Sequence, residues 1–285
     1  MIESHKTLCV TGLRHHVIEW SASSDLPPIV LLHGWMDSAA SFCEVARILH
    51  STGRRVLAID LRGYGQTEHI PAEASYYFTD YVRDLDAVLA AEDVAAVDLV
   101  GHSMGGTVAT LFAGAFPERV RRLVLVEGLG PGLSDLSDAP ARTRRWIEAM
   151  KRERRAPRPM TAGDVLASLQ RNHPRVPVEV LAGLVPTFAA CGDDGSYAWR
   201  ADPRHRDPSP LPFNRETFLA HARAITAPTL FVSGGSTGWH PTDEAERIAE
   251  LRQVETVTID DGGHMLHWTK PVELAATVGA FLARP

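Results

Sequence analysis

Short apolar runs alternate along this chain with longer segments of helical periodicity, and this alternation constrains the fold more than any other feature. The runs are rich in aliphatic residues, as in Ile29–Leu32, Val56–Ile59 and Val97–Val100. Between them lie segments such as Phe78–Ala91, with the apolar spacing of a helix that covers a sheet. Strands separated by helices pair in parallel and are buried on both faces. The sequence therefore predicts an α/β fold with a mostly parallel central sheet flanked by helices.

The same pattern predicts the remaining elements of the sheet and its covering layers. Five further strands are predicted, at Thr7–Val10, His15–Trp20, Leu123–Val126, Thr229–Val232 and Thr256–Ile259. Further covering helices are predicted at Ala39–Leu49, about Met104–Ala115 and, after a proline suited to a first turn, Pro271–Leu282.

A long interruption separates the sixth predicted strand from the seventh. Helical stretches lie near Pro140–Arg154, Ala162–Arg171 and Val178–Ala190, and the Pro-, Asp- and Arg-rich segment Arg200–Phe213 is typical of a loop. We therefore predict a helical cap over residues 130–214, inserted into an α/β core made of residues 1–129 and 215–285.

A basic run lies inside the predicted cap. Its members are Arg142, Arg144, Arg145, Lys151, Arg152, Arg154, Arg155 and Arg158. A solvated helix face accounts for such a run, and so does a site for an anionic substrate group such as a phosphate. The sequence leaves both interpretations open.

Composition excludes several classes of partner. The net charge of −6 gives no electrostatic reason to expect nucleic acid or an anionic membrane. No run of about 18 apolar residues is present, so no membrane span is predicted, and the N-terminus lacks the apolar core of a secretion signal. The three cysteines are far apart and odd in number, which suggests neither a disulfide framework nor a zinc site. These features favour a reduced, cytoplasmic setting and leave the oligomeric state open, a homo-oligomer included.

A glycine-flanked serine follows the fifth predicted strand and precedes a predicted helix. The segment reads Gly101-His102-Ser103-Met104-Gly105. A serine on so sharp a turn projects its hydroxyl above the sheet edge, and the glycines remove side chains that would clash there. This is the arrangement of a nucleophile elbow, and it predicts Ser103 as the nucleophile of a serine hydrolase.

A hydroxyl needs a base to remove its proton during attack, and His264 is predicted to be that base. It follows the last predicted strand, which places it at the carboxyl edge of the sheet together with Ser103. His102 is expected to point into the packing beneath the turn, and His267 is expected to be structural.

Attack also creates a negative oxygen that requires fixed donors. The backbone N–H of Met104, at the start of the helix, is one predicted donor. The backbone N–H of Trp35, in the loop that begins His33-Gly34, is predicted to be the other.

These motifs occur in the order and spacing of the α/β-hydrolase fold family. With the turn Asp60–Gly65, which we interpret as structural, they cover nearly the whole chain, and the chain resembles the serine-hydrolase-like branch most. The resemblance implies a Ser–His–acid triad and a helical lid above the site. It does not fix the substrate, because this fold supports many activities.

The acid is where the chain departs from the family pattern. Most members carry an aspartate shortly after the penultimate core strand, and here Thr237 stands in that position. Glu127, at the end of the strand after the predicted elbow helix, is the favoured replacement, as in certain haloalkane dehalogenases. Asp243 is an alternative, Asp261 precedes the histidine by too few residues to reach its ring well, and the absence of any acid also stays open.

The chemistry predicted from these residues is hydrolysis of a small to medium carboxylic ester or thioester through an acyl-enzyme. A small-molecule acyl substrate is expected, with no metal or organic cofactor. A hydroxynitrile-lyase-like activity and a non-catalytic ligand-binding role are the alternatives. Dehalogenases and epoxide hydrolases of this fold use an aspartate nucleophile, so Ser103 argues against both.

Overall fold

An eight-stranded sheet forms the centre of the protein in the computed structural model, which describes residues 3–153 and 158–284. Arg154 and Arg155 of the basic run lie outside the described residues. In chain order the strands are β1 (Glu3–Val10), β2 (Leu13–Trp20), β3 (Ile29–Leu32), β4 (Val56–Ile59), β5 (Val97–His102), β6 (Val120–Val126), β7 (Ala189–Cys191), β8 (Tyr197–Trp199), β9 (Thr229–Ser233) and β10 (Val254–Thr258). The order in the sheet is β1-β2-β4-β3-β5-β6-β9-β10, while β7 and β8 form a separate hairpin. Strands β1, β2 and β4 pair antiparallel and the remaining pairs are parallel, which confirms the predicted fold class.

Helices cover both faces of this sheet, and others lie in the segment that follows β6. In chain order they are α1 (Cys43–His50), α2 (Phe78–Ala91), α3 (Met104–Ala115), α4 (Ala139–Met150), α5 (Ala162–Asn172), α6 (Val178–Phe188), α7 (Arg215–Ala224), α8 (Glu244–Ala249), α9 (Leu266–Thr269) and α10 (Pro271–Leu282). Among the described residues, no helix is both long and apolar enough to cross a bilayer.

Strand β3 shows why the central runs are apolar at every position. Val30 and Leu32 pack into the core that α2 and α3 cover, whereas Ile29 and Leu31 pack into the core that α1 and α10 cover. Successive side chains of a strand point to opposite faces, so a strand between two helical layers has no solvated face. The continuous apolar runs in the sequence follow from this burial.

The segment between β6 and α7 has a small core of its own. Side chains of α5 and α6, among them Leu169 and Val185, pack there against Met265 and Trp268 of the main body. These two residues follow His264 directly or closely, so the helical segment rests on the part of the chain that carries the predicted base.

Several observed elements differ from the predicted ones. The helix predicted over Val178–Ala190 ends at Phe188, and the next three residues pair with Tyr197–Trp199 as the β7–β8 hairpin. The turn between them contains Gly195 at φ +76°, a conformation that glycine adopts without strain. Helix α7 lay outside the predicted elements, and β10 begins at Val254, two residues before the predicted start. Strands of three residues carry too little periodicity to be recognised before their partner is known.

We expect Asp98→Asn to destabilise the fold strongly. The Asp98 carboxylate is fully buried in β5 and accepts hydrogen bonds from Arg54, at 2.6 Å, and from Arg121, at 2.8 Å. The amide leaves both guanidinium groups without their counter-charge, which costs about 3–5 kcal/mol of unfolding free energy. Urea denaturation measures the change. Asp86→Asn is the matched control, because Asp86 pairs with Arg119 at the surface, where such a pair contributes about 0–1 kcal/mol. Equal losses in the two variants would contradict the expectation.

Candidate active site

The register of β5 and β6 places the predicted nucleophile beside the favoured acid. His102 lies opposite Val126 in this parallel pair, and Ser103 and Glu127 are the next residues of the two strands. Val126 in turn lies opposite Val232 of β9, so the loop that follows β9 reaches the same edge. This is the carboxyl edge of the parallel strands, where open α/β sheets bind ligands.

Ser103 adopts a backbone conformation that few residues other than glycine adopt. Its φ is +51° and its ψ is −113°, and its N–H donates to the Val126 carbonyl at 3.0 Å. A Cβ on Gly101 would lie 2.4 Å from the Gly105 carbonyl oxygen, and a Cβ on Gly105 would lie 2.3 Å from that of Leu32. Side chains are excluded at both positions because the turn packs backbone against backbone. This geometry holds the Ser103 side chain at the start of α3.

The structure brings Ser103, His264 and Glu127 into one line of contacts. His264 Nε2 lies 3.0 Å from Ser103 Oγ, and His264 Nδ1 lies 3.2 Å from Glu127 Oε2. An ionised carboxylate only accepts hydrogen bonds, so Nδ1 carries the ring proton and donates it to Glu127. In this neutral tautomer Nε2 has a free lone pair directed at the serine hydroxyl. The geometry is that of a base poised to take a proton from Ser103.

Backbone groups of the loop after β9 enclose the Glu127 carboxylate. The N–H of Gly234 donates to Oε1 at 2.5 Å, and the N–H of Trp239 donates to Oε2. A Cβ on Gly238 would lie 2.3 Å from Oε1, so only glycine lets the loop approach so closely. The loop that carries an aspartate in most of the family therefore supplies hydrogen-bond donors here. Sequence reasoning missed this role, and the cluster of glycines around Thr237 was its one signal.

The other carboxylates considered as the acid lie elsewhere. Asp243 is next to the start of α8, where it forms ion pairs with Arg215, at 2.7 Å, and with Arg247, at 2.8 Å. Burial alone would raise the pKa of the Asp243 carboxyl. The hydrogen bonds from Arg247 and Arg215 outweigh burial and hold this pKa below its ordinary value. Asp261 is exposed. Of the carboxylates considered, Glu127 alone contacts His264.

The two predicted N–H donors are held by the hydrogen bonds of their own peptide groups. His33 Nδ1–H donates to the Gly34 carbonyl at 2.8 Å, while the Ser103 carbonyl accepts from the N–H of Gly106 at 3.0 Å. Because a trans peptide directs its C=O and N–H to opposite sides, these bonds also orient the N–H groups of Trp35 and Met104. Among the described residues, neither N–H has an acceptor. Both are free to bind a developing oxyanion.

A cavity of about 590 Å³ opens beside these donors. Trp35 and Met104 form part of its wall, and aromatic and aliphatic side chains from the 74–82 segment, α4 and the 207–218 segment form much of the rest. A cavity of this size and apolar character accommodates a small organic molecule.

Comparison with known proteins identifies the family. A family described as alpha/beta hydrolase fold matches residues 27–271. The chain belongs to this family.

The mouse protein named sn-1-specific diacylglycerol lipase ABHD11 is 31% identical over 278 residues, which span 95% of this chain and 85% of that protein. A Drosophila melanogaster protein named probable serine hydrolase is 28% identical over 280 residues, 93% of this chain and 83% of its own. The solved structure of a hypothetical protein from Pseudomonas aeruginosa superposes with a TM-score of 0.87 at 29% identity, covering 99% of this chain and all of that one.

Two buried histidines lie beneath the predicted nucleophile of this α/β-hydrolase-fold protein. His102 Nε2 donates to the backbone carbonyl of His264 at 2.7 Å, and His267 Nε2 donates to Asp37 at 2.8 Å. Burial lowers the pKa of both imidazoles, so both rings are neutral near pH 7. His102 thus ties the loop of His264 to the end of β5, next to Ser103.

The same residues form the group best placed to ligate a metal ion among the described residues. Asp37, His102 and His267 offer one ligand atom each within 4.8 Å of one another. His267 Nε2 already donates to Asp37 within this group, and His102 Nε2 already donates to the His264 carbonyl. The cluster therefore fits the internal hydrogen bonds it makes better than it fits an ion.

We expect the stability of the protein to fall as the pH falls below the ordinary histidine value of 6.5. The unfolded chain then binds protons that the buried rings of His102 and His267 do not bind, and each fully buried ring contributes up to about 1.4 kcal/mol per pH unit. His102→Gln removes one of these contributions. Urea denaturation between about pH 7.5 and pH 5 should therefore give a smaller slope for the variant than for the wild type. Parallel curves would contradict this explanation.

Proposed function

We propose that this protein is a serine hydrolase that cleaves a small to medium carboxylic ester or thioester through an acyl-enzyme. The observation that carries the proposal is the line of contacts from Ser103 Oγ through the His264 ring to the Glu127 carboxylate. Next to it, the N–H groups of Trp35 and Met104 have no acceptor among the described residues, and both of these residues line the apolar cavity. Nucleophile, base, acid and oxyanion donors are the complete set of groups that acyl transfer requires.

The proposed mechanism has two steps. In the first, His264 Nε2 takes the proton of Ser103 as Oγ attacks the acyl carbon, and the N–H groups of Trp35 and Met104 bind the resulting oxyanion. The imidazolium, balanced by Glu127, then gives its proton to the departing alkoxide or thiolate. In the second step His264 takes a proton from water, which attacks the acyl-enzyme. The carboxylic acid product leaves, and His264 returns the proton to Ser103 Oγ.

The position of Glu127 suits this role in place of the aspartate found in most of the family. A glutamate side chain is longer by one methylene, and Glu127 starts from β6, the strand next to the nucleophile. The backbone donors of Gly234 and Trp239 hold both carboxylate oxygens. A fixed carboxylate orients the imidazole and stabilises the imidazolium.

We also propose that the segment 130–214 acts as the cap of the site. Its helix α4 and its 207–213 loop supply part of the cavity wall, so the segment shapes the space for the acyl or alcohol group. The names of the relatives agree with ester hydrolysis, since the mouse relative is named a diacylglycerol lipase and the fly relative a serine hydrolase. A carboxylic ester is accordingly the first substrate class to test.

A fluorophosphonate probe should label Ser103 covalently and leave the Ser103→Ala variant unlabelled, because the probe traps a nucleophile flanked by a base and oxyanion donors. Mass spectrometry of the labelled peptide locates the adduct. Hydrolysis of p-nitrophenyl esters separates a hydrolase from a lyase that also labels. Folded wild-type protein that neither labels nor hydrolyses any ester would contradict the proposal and favour ligand binding without catalysis.

Glu127→Gln should lower kcat by about 10³–10⁴-fold with little change in KM, because an amide neither fixes the tautomer of His264 nor balances its positive charge. Circular dichroism checks that the variant is folded. Asp261→Asn is the matched control, since it removes an exposed carboxylate three residues before His264 and asparagine tolerates the positive φ of 57° at this position. Its kcat should stay close to that of the wild type. Near-normal turnover of Glu127→Gln would exclude this residue as the acid.

A further inference from the structure

One cation on the wall of the cavity has no partner that accounts for it. Helix α4 turns Arg142, Trp146 and Met150, each four residues apart and therefore on one face, toward the cavity. Trp146 Nε1 donates to Ser75 Oγ at 3.0 Å, which fixes this face of the helix over the 74–78 segment. The guanidinium of Arg142 is thus held at the wall of the proposed substrate site.

Arg142 makes no hydrogen bond within the part of the chain that the structure describes. Its Nε is buried and unpaired, and the nearest carboxylate oxygen is Asp138 Oδ2, at 4.0 Å. That same oxygen binds Arg145. Buried polar groups of proteins are nearly always hydrogen-bonded. The Arg142 side chain is 22% exposed, so its guanidinium is partly buried and keeps donors that no described residue accepts from.

Arg204, which also lines the cavity, is an arginine with a structural role. Arg204 donates to the Asp202 carboxylate at 2.6 Å, to the Pro71 carbonyl at 2.5 Å and to the Ile70 carbonyl. Its guanidinium joins the 202–207 segment to the 70–71 loop and uses its donors in doing so. Arg142 joins nothing, although it lines the same cavity.

The exposure of each residue decides between the two interpretations of the basic run, a solvated helix face and an anion site. Its described members other than Arg142 are exposed, and these are Arg144, Arg145, Lys151, Arg152 and Arg158. The solvated face explains them. Arg142 is the described member that lines the cavity, so among the described members the alternative of an anion site applies to Arg142.

We propose that Arg142 binds a carboxylate group of the substrate inside the cavity, so that the preferred substrate is an ester or thioester whose acyl part ends in a carboxylate. This inference rests on the proposed hydrolase function. The planar fork of a guanidinium matches a carboxylate with two parallel hydrogen bonds, and an apolar wall strengthens such charge-assisted bonds.

Two matched series of p-nitrophenyl esters test the proposal. One series consists of the half esters of adipic and suberic acid, and the other of the neutral hexanoate and octanoate esters. The wild type should prefer the charged series. Arg142→Gln should lower the charged-to-neutral ratio of kcat/KM by about 10- to 100-fold, mainly through KM, because a hydrogen-bonded ion pair is lost from the bound substrate.

Arg144→Gln is the control, because it removes the same charge from an exposed position of the same helix. Its ratio should equal that of the wild type. An equal fall in both variants would assign the effect to the general field of the helix, and no fall in Arg142→Gln, or a wild type that prefers neutral esters, would also overturn the proposal.

A binding experiment distinguishes failure of the carboxylate site from failure of the proposed hydrolase function. If the wild type hydrolyses neither series, calorimetry with monomethyl adipate on Ser103→Ala and on Ser103→Ala/Arg142→Gln still measures the carboxylate site. Weaker binding to the double variant supports the site at Arg142. Equal binding, or none to either protein, overturns it.

Discussion

The parallel pairing of β5 with β6 is the constraint on which the rest of the site depends. It sets Ser103 and Glu127 side by side at the ends of neighbouring strands, and one imidazole bridges the two. In the proposed triad the acid comes from β6, so the loop after β9 does not need to supply a carboxylate. It instead surrounds the glutamate with backbone N–H groups. The pairing of β5 with β6 thus explains both why Glu127 lies beside Ser103 and why Thr237 can stand where most of the family carries an aspartate.

Backbone packing, more than side-chain packing, gives this site its precision. Gly101 and Gly105 lie where an added Cβ would strike backbone atoms, those of Gly105 and of Leu32 respectively. Beneath them, the neutral ring of His102 joins the elbow to the loop of His264 through one hydrogen bond. Rigid main-chain supports of this kind hold reacting groups in a productive geometry before substrate arrives.

The cavity has apolar walls and two arginines that differ in their hydrogen bonding. Arg204 donates hydrogen bonds that join the 202–207 segment to the 70–71 loop, whereas Arg142 donates none to any described residue. An apolar cavity recognises the bulk of an acyl chain but discriminates weakly among chains, while a single charge at its wall discriminates strongly. Specificity would then depend on α4, a helix that takes no part in the proposed chemistry.

The sequence by itself determined the elements whose burial repeats along the chain. Helices Phe78–Ala91 and Pro271–Leu282 have the predicted bounds, because their amphipathic period records which face is buried. It also indicated Ser103, His264 and the acid Glu127 as candidates. Only the tertiary structure decided which carboxylate contacts the histidine, and which member of a basic run lines the cavity. Those contacts join residues more than a hundred positions apart, or depend on how one helix lies over the sheet. Strand register and helix packing decide them, and local periodicity carries no record of either.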